Sequence, residues 1–167
     1  MMNQNLKTFT VPDLCDLYEN EIDVGDLFLK SFGKRQKFFG EIKTAECPHS
    51  NSIVKELAQE DGKDKVLVIK HTGDDLCSMV GDQIAAMAYE NNWNGIFVDG
   101  YIRDIEIIKN IDIGVYAIDT YPKKTDKTFG IGSKNSAFKI GSVGIKTGSW
   151  IYVDSNGWLV SREKLKL

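Results

Sequence analysis

Three apolar runs rich in β-branched residues, spaced by helix-forming segments, restrict this chain more than any other feature. They are Lys65-Val-Leu-Val-Ile-Lys70, Gly95-Ile-Phe-Val-Asp99 and Gly114-Val-Tyr-Ala-Ile118. Each is short and continuously apolar, the pattern of a strand covered on both faces. Between the first two, Met79–Glu90 places Met79, Val80, Ile84, Met87 and Ala88 at spacings that suit one buried helix face. Between the last two, Asp104–Lys109 suits a short helix. Strand–helix–strand–helix–strand from 65 to 118 implies parallel pairing through helical crossovers, and so an α/β fold.

The flanks extend this frame. Pro12–Tyr18 reads as a helix with Thr10 as N-cap and Leu14, Leu17 and Tyr18 on one face. Leu27–Lys30 and Phe38–Cys47 follow as extended segments, and Glu41–Glu46 alternates as a half-buried strand should. Asn51–Ala58 suits an amphipathic helix stopped at Asp61-Gly62. After Pro122 the text becomes short apolar runs punctuated by Gly141, Gly144 and Gly148. Asn156-Gly157, between Ile151–Val153 and Trp158–Val160, signals a β-hairpin. The C-terminal third should therefore be β-rich. With no linker in sight, the 167 residues are expected to form a single domain, 1–167, with a core of about 9–160.

Composition removes several function classes. The formal charge is −3, and the densest lysine group, Lys123, Lys124 and Lys127, is broken by Asp126. Direct nucleic-acid binding is not expected, because phosphate recognition needs a basic stripe. Cys15, Cys47 and Cys77 form no CxxC pair, and His49 and His71 show no metal-ligand spacing, so no zinc-like cluster is expected. The N-terminal residues lack the apolar core of a signal peptide, and Val66–Ile69 is far too short to span a bilayer. The expected location is cytoplasmic, with no membrane partner.

Chemistry is best sought at the carboxyl ends of the parallel strands, where open α/β sheets place ligands. Gly81-Asp82-Gln83-Ile84 lies near a helix start, whose first-turn N–H groups can hold a carboxylate. Arg103-Asp104 follows the Gly95–Asp99 strand. Arg103 offers a planar fork for a carboxylate, and Asp104 a hard oxygen donor for magnesium or manganese. Bland readings stand beside these: Asp82 as a favourable charge at a helix start, Asp104 as a cap, Arg103 as a surface ion pair. Lys70 as a Schiff-base lysine is outweighed by a lysine snorkelling at a strand end. Cys77 reads as a buried structural thiol, and His71 as a pocket-lining residue at most. Trp93, Trp150 and Trp158 should fill the core or a subunit interface, and Gly130-Ile-Gly132 is too short for a dinucleotide fingerprint.

Twenty residues separate Asp82 from Arg103, and Asp104 follows at once. This Asp/Glu-x20-Arg-Asp pattern resembles the class II pyruvate aldolases related to 4-hydroxy-4-methyl-2-oxoglutarate aldolase. Val80-Gly81-Asp82, Gly95–Gly100, Pro122-Lys123 and Gly148–Asp154 resemble the same family, while Pro12–Tyr18 and Phe32-Gly33 look like its RraA branch, the regulators of ribonuclease activity A. The resemblance runs from about Phe9 to Val160. It implies an αββα sandwich of the swivelling β/β/α type and a homotrimer with active sites between subunits. It further implies a metal-dependent lyase that cleaves 4-hydroxy-2-oxo acids to pyruvate and decarboxylates oxaloacetate. Catalysis would rest on Asp82, Arg103 and Asp104. Substrate would be held by Gly81, Asp82, Gln83, Ile84 and Arg103, and Asp104 would hold Mg2+ or Mn2+. The alternative it carries is a non-catalytic regulator that binds and inhibits ribonuclease E-like enzymes. The chain departs from the family pattern at Lys70–Asp74, where a glycine-rich stretch is usual, and at Leu76, where arginine is often found.

Overall fold

The three apolar runs become neighbouring parallel strands in the computed structural model, which describes residues 9–126 and 131–167. Lys127 and Gly130, from two segments noted above, lie outside that range. In chain order the elements begin with α1 (Val11–Leu17), β1 (Ile22–Val24), β2 (Lys30–Ser31), β3 (Phe38–Cys47) and α2 (Ser52–Ala58). Next come β4 (Lys65–His71), β5 (Ser78–Val80), α3 (Asp82–Glu90), β6 (Gly95–Ile102), α4 (Ile105–Ile108) and β7 (Gly114–Thr120). The C-terminal third is β-rich as expected: β8 (Ser133–Lys134), β9 (Phe138–Ile140), β10 (Val143–Ile145), β11 (Trp150–Asp154) and β12 (Gly157–Ser161).

The main sheet runs β1-β12-β11-β3-β4-β6-β7-β2, with β5 beside β6 and β8 beside β3; β9 and β10 pair separately. Strands β3, β4, β6 and β7 are mutually parallel, and β5 is parallel to β6. Alternation within the strands separates two cores. Leu67, Ile69, Ile96, Val98, Val115 and Ala117 face the side covered by α2, α3 and α4. Val66, Val68, Phe97 and Tyr116 face the other, with α1, the β9–β10 hairpin and the aromatic side chains of β11 and β12. This double burial is why the three runs read as continuously apolar.

Two close approaches fix strand spacing. Gly95 and Gly114 are register partners on β6 and β7, and the fully buried Phe38 ring lies across them. A Cβ at Gly95 would fall 2.4 Å from that ring, and one at Gly114 2.1 Å. No side chain fits at either position without moving a packed aromatic.

Helix α1 starts as its sequence suggests, with the Thr10 hydroxyl accepting from the Asp13 N–H at 3.2 Å and Pro12 in the first turn. Leu17, however, is 73% exposed rather than buried. The buried face follows Val11, Leu14, Cys15 and Tyr18 at helical spacing, which leaves Leu17 off to one side. The start of α1 is tied down from afar. Buried Asp154 accepts from the Val11 N–H at 2.8 Å, from the Asn156 N–H at 2.8 Å and from Asn156 Nδ2 at 3.3 Å. Asp154→Ala is expected to cost about 2–3 kcal/mol, because it strips a charged acceptor from buried donors. The measurement is a lower urea midpoint at unchanged m-value; an unchanged midpoint would mean that the helix is held by its apolar face alone.

Candidate functional site

The parallel strands carry their carboxyl ends to one edge of the sheet, and a short strand completes that edge. Met79 and Val80 are not helical, contrary to the reading of Met79–Glu90 as one helix. They belong to β5, fully buried beside β6, and α3 begins only at Asp82. The apolar pair suits a buried strand as well as a helix face, and pairing with β6 decides between them. The β5 backbone is held from several directions. Ser78 N–H donates to the Lys123 carbonyl at 2.8 Å, and Arg103 N–H to the Val80 carbonyl at 3.0 Å. Asn51 Nδ2 donates to the Met79 carbonyl at 2.9 Å, and Thr125 Oγ1 donates to Asn51 Oδ1 at 2.9 Å.

This scaffold brings the two sequence segments into one constellation. Gly81 is the N-cap of α3 in extended conformation. Asp104 Oδ2 accepts from the Asp82 N–H at 3.3 Å and lies 3.7 Å from Arg103 Nε. Arg103 Nη1 donates to the Pro122 carbonyl at 3.3 Å. A Cβ at position 81 would fall 2.7 Å from Asp104 Oδ2 and 3.7 Å from Arg103 Nε, so glycine leaves the room that the carboxylate occupies. The Arg103 and Asp104 side chains are 38% and 35% exposed, open to a solute yet partly shielded. Gln83 is exposed, whereas the Ile84 side chain packs in the core; at that position only the backbone N–H faces outward use.

Asp104 is the cap residue of α4 by position but makes no side-chain capping bond there. Its backbone sits at φ +63°, ψ +36°, a left-handed conformation that costs a non-glycine residue roughly 1 kcal/mol. The conformation turns the carboxylate away from its own helix and toward the start of α3.

Other candidates fall elsewhere. Lys70 pairs with its register neighbour Asp99 at 3.5 Å and also donates to the Lys139 carbonyl, the position of a tethered strand-end lysine. Burial raises the Asp99 carboxyl above its ordinary range, against the pull of Lys70. Leu76 is 53% exposed. An open cavity of about 1160 Å³ is lined by Tyr18, Glu21, Lys139, Lys146, Arg162 and Lys164 among others, and includes none of the candidate site residues.

Sequence reasoning missed two groups. The first is the Asn51–Thr125 pair bracing β5. The second is a meeting of His71, Asp75 and Cys77, whose donor atoms all lie within 4.8 Å of one another, with His49 Nδ1 at 3.1 Å from Asp75 Oδ1. Cysteine and histidine spacing did not signal this meeting, because the loop from His71 to Cys77 folds back on itself and the parallel register of β3 and β4, with Cys47 opposite His71, brings His49 alongside.

A twisted mixed sheet with helices over its crossovers, and a glycine–acid helix start facing an Arg-Asp pair, define a recognisable class. The sequence profile of the RraA-like family, described as Aldolase/RraA, matches residues 11–160, and the chain belongs to that family. A Pseudomonas aeruginosa (strain LESB58) relative bearing the name "Putative 4-hydroxy-4-methyl-2-oxoglutarate aldolase" is 43% identical over 159 residues, 95% of this chain and 98% of its own. A relative of the same name from Dechloromonas aromatica (strain RCB) is 44% identical over 162 residues, 95% of this chain and 99% of its own. Among solved structures, the RNA-processing inhibitor RraA of Thermus thermophilis superposes with a TM-score of 0.89 at 30% identity, covering 95% of both chains. A Geobacillus kaustophilus HTA426 structure titled S-adenosylmethionine: 2-dimethylmenaquinone methyltransferase gives 0.90 at 32% identity, covering 94% of this chain and 97% of that one.

Proposed function

We propose that this protein is a divalent-metal-dependent lyase that cleaves 4-hydroxy-2-oxo acids to pyruvate and also decarboxylates oxaloacetate. The observation that carries the reading is the convergence of Asp104 Oδ2, the Asp82 N–H and Arg103 Nε at the mouth of α3. The relatives' names favour the same chemistry.

The donor set suits a hard cation. Asp104 presents a partly exposed carboxylate at an open site, which fits Mg2+ or Mn2+, ions that keep several waters and need few protein ligands. Once bound, such an ion supplies Lewis-acid stabilisation of the negative charge that develops on the pyruvyl oxygen as the carbon–carbon bond breaks. The chain's own groups do the rest. Arg103 grips the substrate carboxylate with its planar fork, and the first-turn N–H groups of Gln83 and Ile84 add donors at the positive end of α3. Asp82, at the first position of α3, positions the water that carries protons to and from the substrate. Loss of carbon dioxide from oxaloacetate leaves the same anionic product, so the same centre serves both reactions.

The reading includes a cytoplasmic homotrimer, in which a neighbouring copy would close the open side of the site; sedimentation should then give three chains per particle. No helix among the described residues is long and apolar enough to cross a membrane.

The test is pyruvate release from oxaloacetate and from 4-hydroxy-4-methyl-2-oxoglutarate, with magnesium or manganese added and then chelated. Turnover above the free-metal background that disappears on chelation is expected. Its absence from folded protein would end the lyase reading.

A second reading is favoured by likeness to a structure named as an RNA-processing inhibitor. In it, surface carboxylates of this chain, whose formal charge is −3, dock on a basic segment of a ribonuclease E-like enzyme. Capture of that enzyme at low salt, unaffected by substitution of Arg103 or Asp104, is the outcome that would favour it.

A further inference from the structure

We propose that His71, Asp75 and Cys77, joined by His49, form a binding site for a transition-metal ion of the zinc class, separate from the oxygen-donor site at Asp104. His71 Nε2 lies 3.3 Å from Asp75 Oδ1 and 3.9 Å from Cys77 Sγ, and His49 Nδ1 lies 3.1 Å from the same Asp75 oxygen. Ligands held tetrahedrally at zinc bond lengths stand about 3.3–3.8 Å apart. The donor atoms of His71, Asp75 and Cys77 lie within 4.8 Å of one another and need only close modestly on an ion, with His49 approaching from the Asp75 side. Two imidazoles, a carboxylate and a thiol match the borderline-soft preference of zinc, and no hard cation such as magnesium would select them.

The surroundings are built for the cluster. His49 follows the end of β3 and His71 ends β4; parallel register, with Cys47 opposite His71, carries both to one edge. The Thr72 N–H donates to the Cys47 carbonyl at 2.8 Å and starts the loop back toward the cluster. At Gly73 a Cβ would fall 1.8 Å from the Pro48 carbonyl oxygen, 2.7 Å from Asp75 Oδ1 and 3.0 Å from His71 Nε2. The loop is thus wound so closely around the donor atoms that no side chain fits there. His71 and Cys77 are buried at the back, with side-chain exposure of 7% and residue exposure of 1% respectively. Asp75 and His49 are 42% and 43% exposed at the front, which leaves an entry path. Two imidazole nitrogens, His49 Nδ1 and His71 Nε2, meet the same Asp75 oxygen, an arrangement that a cation can replace. Burial, with the Asp75 carboxylate next in effect, pushes the Cys77 thiol up to about 11, so that without metal it stays protonated and unreactive at neutral pH.

A metal here would clip the 71–77 loop that leads into β5 and Gly81, the segment where the chain departs from its family's glycine-rich pattern.

The probe is Co2+, titrated into metal-free protein and into an Asp104→Asn variant. Both are expected to develop a thiolate-to-cobalt charge-transfer band and strong tetrahedral visible bands, saturating at one ion per chain, and Zn2+ should displace them. Cys77→Ser should lose the sulfur band, while His71→Ala and Asp75→Asn should weaken binding roughly 100-fold or more. A folded wild type without a sulfur band would overturn the proposal, as would a band that survives Cys77→Ser. Neither outcome bears on the lyase reading, which is scored by pyruvate release.

Discussion

Replacing Asp104 by asparagine should lower metal-dependent pyruvate release by roughly 10²–10³-fold, the usual scale for loss of one group that stabilises charge in the transition state. Asparagine keeps the shape and can still accept the Asp82 N–H, but it removes the negative charge that would hold the ion. Arg103→Ala is expected to act differently. It removes the carboxylate grip, so KM should rise together with the fall in kcat, since binding energy from the non-reacting end also orients the substrate. Circular dichroism and sedimentation should match the parent for both variants, because both side chains are more than a third exposed and neither packs in a core. Full turnover in the Asp104 variant would remove this residue from the mechanism and transfer attention to the reading as a ribonuclease regulator.

The second large effect concerns stability. Gly114→Ala should destabilise the fold by roughly 3 kcal/mol, at the upper end of the overpacking range, and lower Tm by about 5–10 °C. The new methyl would stand 2.1 Å from Phe38, whose ring is fully buried and packed edge-on against Tyr116 at 5.6 Å. Phe38→Leu alone leaves a void and should also destabilise. Together the two changes should cost less than their sum, because each relieves the other's misfit. Additive losses in the double variant would show that the glycine acts through its backbone and not through the ring above it.

Periodicity made the central sheet legible. Val66–Ile69, Ile96–Val98 and Val115–Ala117 announce doubly buried strands, and helices between such strands leave little choice but parallel order. Three things were hidden. Strand β6 runs past Asp99 to Ile102, because Asp99 still pairs with Lys70 on β4 and Tyr101 and Ile102 find partners on both β5 and β7. Met79 and Val80 satisfy a helix and a strand equally, and only tertiary pairing separates the two. The short strands β1 and β8 owe their extension to neighbours distant in sequence, Leu159–Ser161 and Ala45–Glu46. At the candidate site, residue types and spacing left bland readings open for Asp82, Arg103 and Asp104, and it was the resemblance of their pattern to a known family that marked them; the left-handed turn that aims Asp104 at α3 carries no compositional signal. The His49–His71–Asp75–Cys77 meeting was equally invisible, since it depends on how the loop after β4 folds back and on β3 ending beside β4.

The Arg103 N–H bond to the Val80 carbonyl has a further reach. It joins the residue after β6 to the last residue of β5, so the glycine–acid segment and the Arg-Asp pair are held together by backbone as well as by the Asp104 carboxylate. A substitution that shifts either segment should therefore disturb the other, and the 71–77 loop, which runs straight into β5, is coupled to both.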